Sequence, residues 1–188
     1  MSSFEYIMGV VMAGGKSSRM GTDKGLIVHN SQPLVLHQLK VLKPFCEKRI
    51  ISANSSDYAQ FGVDVVADVV PNIGPMGGIY SVLKSLETQW LLVLACDLPY
   101  ISANAVAFLL NHLDESFEIV VPSHNMGIEP LFALYHKQLL TKIESQIAEH
   151  CFSMNQLINS SKHKLVDFES FLIDELNLFK NLNTPADI

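Results

Sequence analysis

Apolar residues come in short bursts along this chain, and polar or glycine-rich segments close most of them. Residues 5–13, EYIMGVVMA, predict a buried first strand, and a glycine-rich loop follows directly. Pro33 then opens LVLHQLKVLK, where Leu34, Leu36, Leu39, Val41 and Leu42 make a roughly helical apolar face. Proline suits a first helical turn because its missing N–H is not needed there. RIISA at 49–53 and VDVVA at 63–67 predict two further strands, ending at Asn54 and Asp68. PNIGPMGG at 71–78 predicts a second loop, leading into a helix over IYSVLKSLE. WLLVLA, Trp90 to Ala95, is the clearest central strand, and Cys96-Asp97-Leu98-Pro99 ends it. Ser102 or Asn104 is suited to cap a helix that ends near Leu113. Strands are expected at 117–121 and 130–135, a helix at 137–150, and short strands at 163–168 and 171–173.

Strands and helices alternate over the first 120 residues. That alternation implies parallel βαβ units with helices on both faces of the sheet. The expected fold is α/β: a three-layer αβα sandwich, Rossmann-like, with a mostly parallel sheet. Residues 1–188 are read as a single domain. Ligands of such sheets bind at the carboxyl ends of the strands. The polar punctuation at Gly14-Gly15, Asn54, Asp68 and Asp97 is therefore expected to converge on one crevice.

Composition narrows the classes. Charged residues make up 17% and hydrophobic ones 48%, an ordinary globular balance leaning apolar. The longest apolar run, Trp90 to Cys96, is far too short to span a bilayer. The N-terminal segment has Glu5 and no Lys or Arg before Lys16, which argues against a signal peptide. Cys46, Cys96 and Cys151 form no CxxC pair, which fits a reduced cytoplasmic protein without structural zinc. All three are read as buried hydrophobes, and the seven histidines as surface or capping residues. The net charge of −6 argues against nonspecific nucleic-acid binding. Yet Lys16, Arg19 and Lys24 fall within nine residues, a local positive site on an acidic protein.

That cluster lies in VMAGGKSSRMGTDKGL, residues 11–26. With Gly15-Lys16-Ser17 as its end, a Walker A loop needs glycine at position 10, which is Val10. The dinucleotide pattern GxGxxG fails because Lys16 stands at its second required glycine after Gly14. The loop still suits phosphate: glycines let amides approach an anion, arginine offers a planar fork, and lysine a compact charge. A solvated turn with incidental charge is the other reading. Asp97 follows the most apolar strand and faces the same edge, where a carboxylate suits magnesium shared with substrate phosphates. Alone, Asp97 reads better as a turn or cap residue, since Asp before Pro is common in turns; together with the glycine loop the magnesium reading is favoured.

The motif AGGxSSRMGxDKxL resembles the signature of the nucleotidyltransferase superfamily that includes the MobA-type molybdenum cofactor guanylyltransferases. Four further segments are similar in order: Asp68 ahead of GPMGG at 74–78, Cys96-Asp97-Leu98-Pro99, Pro130 to Tyr135, and Asn181 to Asp187. Together they run from residue 11 to residue 187. The first loop is shared widely, whereas NxNTPxD at the C-terminus is more discriminating. Met12 stands where leucine is commoner, and Met76-Gly77 departs from the usual second loop.

The resemblance implies transfer of GMP from GTP to the terminal phosphate of molybdenum-molybdopterin, with Mg²⁺ as cofactor and pyrophosphate released. It places Met12, Ala13, Gly14, Gly15, Lys24, Asn54, Asp68, Gly78 and Asp97 around the nucleotide. Lys24, Arg19 and Asp97 are the implied catalytic residues, with Asp97 the metal ligand. Backbone amides of residues 12–15 are expected to hold nucleotide groups, and Asn54 with the 74–78 loop to select guanine. Asn181 and Asn183 are implied at the pterin end; a turn before Pro185 is their alternative. Molybdoenzyme apoproteins or cofactor-delivery proteins are the further implied partners, with no nucleic acid and no membrane. A cytidylyltransferase, a sugar- or alditol-phosphate enzyme on the same fold, and a non-catalytic delivery module remain alternatives. The short chain, with no hexapeptide-like repeat, argues against the larger sugar enzymes.

Overall fold

The computed structural model describes residues 7–14 and 23–182. Its elements run β1 (Ile7–Met12), a 3₁₀ turn (Lys24–Leu26), β2 (Val28–His29), β3 (Gln32–Pro33), α1 (Leu34–Leu42) and β4 (Arg49–Ser52). A second 3₁₀ segment (Ser56–Phe61), β5 (Asp64–Val66), α2 (Pro75–Ser85), β6 (Trp90–Ala95) and α3 (Ala103–Leu110) follow. Then come β7 (Ile119–His124), β8 (Gly127–Ile128), β9 (Phe132–His136), α4 (Leu140–Ala148), α5 (Met154–Ser160), β10 (His163–Asp167) and α6 (Glu169–Asp174).

One sheet has the strand order β10-β7-β9-β6-β1-β4-β5, with β8 paired to β7. β1 pairs in parallel with β4 and β6, β4 with β5, and β7 with β10. β9 runs antiparallel to both β6 and β7. The sheet is therefore mostly parallel, as the alternation predicts, with β9 reversed beside its centre and the two-residue β8 reversed against β7.

Alternation along each strand builds two cores. Val11, Leu92, Leu94, Val120, Phe132 and Leu134 face α1 and α3. Met8, Val10, Leu91, Val93, Ile119 and Tyr135 face α2, α4 and α5. All six residues of β1 and of β6 are buried, which is why these segments read as unbroken apolar runs. Helices thus cover both faces, and the three-layer expectation holds. Among the described residues no helix is long and apolar enough to cross a membrane.

Several local expectations are corrected. Residues 171–173 belong to helix α6, since three apolar residues carry no period that separates strand from helix. The segment 74–78 is not a loop: α2 begins at Pro75, so Met76, Gly77 and Gly78 form its first turns. Gly74 precedes it at φ +68 and ψ −154, a backbone region that L side chains avoid. Of the two proposed caps, Ser102 is the one used, its hydroxyl accepting from the Ala105 amide. The small hairpin β2–β3 and helix α5 are additions. Cys46 and Cys96 are buried, but Cys151 is only partly so, its thiol 2.9 Å from Gln156 Oε1. His124 is no surface residue, its side chain being 3% exposed.

The turn after β6 is bonded from several elements at once. The Ala95 amide donates to Leu131 O at 2.8 Å, and the Cys96 amide to Met12 O at 3.0 Å. From α1, the fully buried Gln38 donates its amide to Leu98 O at 2.6 Å and approaches Ala95 O at 3.3 Å. Replacing Gln38 by Leu keeps the volume but strands Leu98 O, so stability should fall by about 1–3 kcal/mol. Chemical denaturation measures this; an unchanged midpoint would remove Gln38 as a support of that turn.

Candidate active site

The parallel register aligns the strand ends. Met12 stands opposite both Ser52 and Ala95, and Ser52 opposite Val66. Gly14, Asn54, Asp68 and Asp97 each lie two residues beyond a member of that row. One cross-sheet row therefore launches all four polar positions from the same edge, the edge where α/β sheets bind ligands.

A crevice of about 690 Å³ opens there. Met12, Gly14, Asn54, Asp68 and Gly78 line it, together with Asp23, Ser52, Ser55, Asn72, Gly74 and Pro75. Ala13 is buried just beneath. Asn54 and Asp68 act as a unit: Asn54 Nδ2 donates to Asp68 Oδ2 at 3.0 Å, and Asn54 Oδ1 accepts the Asp68 amide at 2.8 Å. The Asn54 side chain thus anchors the Asp68 loop to the end of β4. Gly78 sits where α2 meets the strand ends. A Cβ there would come within 2.5 Å of both Met12 Cε and Ser52 Oγ, and 3.5 Å of Asp68 Oδ1.

The expected amide cradle is partly corrected. The amides of Ala13 and Gly14 both donate to Ser52 O, at 3.0 and 3.1 Å. They tie β1 to β4 instead of pointing at a ligand. Gly15 and Arg19 lie outside the described residues, as does Asn183.

Lys24 opens the 3₁₀ turn on the return from the glycine loop. Its ammonium lies 3.1 Å from Asp97 Oδ2, and both side chains are 24% exposed. That exposure leaves the pair accessible to a ligand while holding its geometry. The two expected catalytic side chains are thus brought together across 73 residues of sequence. Asp97 also meets the C-terminal segment: its carbonyl accepts the amide of buried Leu182 at 3.0 Å. This bond sets Asn181, which is exposed, beside the Asp97 turn.

Cys96 is no nucleophile candidate. Burial raises its thiol pKa well above the ordinary range, and the Asp97 and Asp23 carboxylates add to that. On the far side of Asp97, at the end of β7, His124 Nε2 lies 3.0 Å from Glu129 Oε1 and its ring stacks on Phe179 at 4.9 Å. Burial raises the Glu129 pKa, and Asp97 contributes in the same direction. Sequence reasoning passed over this pair, and over Asp23 and Ser52 in the crevice. Asp23, just before Lys24, was open to notice as a residue able to cap the turn that follows it.

Among the described residues no group of three or more His, Cys, Asp or Glu side chains is placed to hold a metal ion. Asp97 offers a part-exposed hard oxygen at the carboxyl edge of the sheet. Such a donor set fits a magnesium ion that takes its remaining ligands from substrate phosphates and water.

A mostly parallel sheet with Gly14, Lys24 and the strand-end Asp97 at its carboxyl edge is an arrangement suited to a nucleotidyltransferase, and the relatives show that class. The chain belongs to the MobA-like NTP transferase family, whose model matches residues 9–164. The molybdenum cofactor guanylyltransferase of Vibrio parahaemolyticus is 36% identical over 183 residues, covering 95% of this chain and 91% of that relative. The one from Photobacterium profundum is 31% identical over 191 residues, covering 100% of this chain and 96% of the relative. The fold is also that of a molybdopterin-guanine dinucleotide biosynthesis protein A from Archaeoglobus fulgidus. That structure superposes with a TM-score of 0.77 at 21% identity, over 96% of this chain and 94% of that one.

The contacts at Gly78 generate a direct test. Gly78→Ala should displace Met12 and Ser52 from the crevice wall, at a stability cost of about 1–3 kcal/mol. Nucleotide affinity should fall with it, read by calorimetric titration. Unchanged affinity would show that the crevice floor does not contact the nucleotide.

Proposed function

We propose that the chain transfers GMP from GTP to the terminal phosphate of molybdenum-molybdopterin, forming the guanine dinucleotide cofactor and pyrophosphate. The observation that carries this reading is the Lys24–Asp97 pair, 3.1 Å apart at the edge where the crevice lies. Similarity to guanylyltransferases over nearly the whole chain supports the choice of substrates. Residues 1–188 are taken as one nucleotidyltransferase domain, and its three free cysteines accord with work in a reducing cytoplasm.

In this reaction an oxygen of the pterin's phosphate attacks the α-phosphorus of GTP. The bond from that phosphorus to the bridging oxygen breaks, and pyrophosphate carries away the electron pair. No general base is assigned, because a phosphate nucleophile is already ionised at neutral pH. The protein's contribution is alignment and neutralisation of charge. The base and ribose occupy the crevice, where the hydrogen-bonded Asn54–Asp68 unit offers polar atoms to them. Guanine is chosen there by hydrogen bonds that another base leaves unmade. Lys24 faces the phosphates and offsets their charge, with Arg19 as its partner from the glycine loop. Asp97 would hold Mg²⁺ together with substrate oxygens, and the ion would supply Lewis-acid chemistry to the triphosphate. Asn181 and Asn183 meet the pterin, whose donors and acceptors suit uncharged amides.

Incubation with Mg²⁺, molybdenum-molybdopterin and each nucleoside triphosphate in turn should release pyrophosphate with GTP. No release with GTP, or equal release with CTP, would overturn the reading. Asp97→Ala should lower turnover by at least ~100-fold, the scale of losing one principal electrostatic group. Near-normal turnover in that variant would exclude Asp97 from the chemistry.

A further inference from the structure

We infer that Tyr58 is a positioning residue for the transfer reaction: it sets Lys24 by holding Asp23, and so pins the two ends of the glycine loop together. The inference rests on the role proposed for Lys24 above.

Tyr58 is fully buried in the 3₁₀ segment that follows β4. Its phenol reaches across 35 residues of sequence to donate to Asp23 Oδ1. The Tyr58 hydroxyl oxygen also lies 3.3 Å from the carbonyl oxygen of Ala13, the residue after β1. The glycine loop leaves the sheet at Ala13-Gly14 and returns at Asp23, so one hydroxyl stands between its exit and its return. Asp23 then passes the constraint on. It caps the turn Lys24–Leu26, its Oδ1 also accepting the Gly25 amide at 3.4 Å. Lys24, the next residue, extends to Asp97.

Gly25 reports how closely the turn is pressed onto the phenol. A Cβ at that position would lie 2.5 Å from the Tyr58 hydroxyl oxygen and 3.1 Å from Ala13 Cβ. Glycine is therefore required at position 25 by this approach. Burial holds the phenol's pKa well above the ordinary tyrosine range, so the hydroxyl keeps its proton and stays a donor. The segment carrying Tyr58 has a second duty. Asn54, four residues earlier, fixes Asp68 on the other side of the crevice. Residues 54–58 thus hold two carboxylates, Asp23 and Asp68, that both line it.

Tyr58→Phe tests the idea, because it keeps the buried ring and removes only the hydroxyl. In the pyrophosphate assay kcat should fall about tenfold or more, the scale of losing a hydrogen bond to a charged group, and KM for GTP should change less. In a Lys24→Ala background the same substitution should have no further effect, whereas a merely structural loss would multiply. A second readout needs no turnover: acylation of lysines in the free protein, followed by mass spectrometry. Lys24 should react several-fold faster in Tyr58→Phe than in the parent, with Lys180 unchanged. Asp23→Ala, which removes the acceptor of both bonds, carries the same labelling expectation should Tyr58→Phe fail to fold. An unchanged kcat, effects that multiply with Lys24→Ala, or an unchanged Lys24 labelling rate would each overturn the inference. Absence of turnover in the parent protein would instead refute the guanylyltransferase reading, and the labelling would still decide the role of Tyr58.

Discussion

The turn from Ala95 to Leu98 carries a carboxylate that must stand at the sheet edge beside anionic substrates, and five contacts hold it there. Leu131, the residue before β9, takes the Ala95 amide, and β1 takes the Cys96 amide through Met12. α1 supplies the buried Gln38, the C-terminal segment supplies the Leu182 amide, and the glycine loop's return supplies Lys24. Elements spread from residue 12 to residue 182 therefore meet on four residues. The consequence is preorganisation. A charged side chain on a free loop would pay for its ordering on each encounter, whereas this one is ordered by the fold.

Electrostatics explains why that ordering matters. The chain is acidic, and Asp23, Asp68 and Asp97 all stand at the edge where a triphosphate would bind. Each carboxylate is held by a donor, Asp23 by Tyr58, Asp68 by Asn54 and Asp97 by Lys24, and of these donors only Lys24 brings an offsetting charge. A magnesium ion would complete the neutralisation, and the sparse protein donor set fits an ion that arrives with the nucleotide.

Much of this was legible in the sequence, for identifiable reasons. Trp90 to Ala95 was read to the residue because a strand buried on both faces leaves an unbroken apolar run. The strand-end positions Gly14, Asn54, Asp68 and Asp97 were legible because parallel strands all end at one edge. Other features carried no local signal. The strands of the β2–β3 hairpin have two residues each, too few for a period. The start of α2 was hidden because Gly77 and Gly78 look like a loop, while the close approach of Val70 O to Gly77, and of Met12 and Ser52 to Gly78, demands glycine at both positions inside a helix. Engagement of the Ala13 and Gly14 amides by Ser52, and the roles of Gln38 and Tyr58, depend on partners dozens of residues away. Hydrogen-bond partners across a sheet follow from register, and register is not written in any single segment.

The central claim is that the crevice beside β1, β4 and β5 holds the nucleoside while Lys24 and Asp97 hold the phosphates. A cocrystal structure with Mg²⁺ and a GTP analogue that cannot release pyrophosphate tests it most directly. The account predicts guanine and ribose between Gly14, the Asn54–Asp68 unit and Gly78, with the triphosphate directed to Lys24 and Asp97. A nucleotide bound instead over β7 and β9, beside His124 and Glu129, would contradict it.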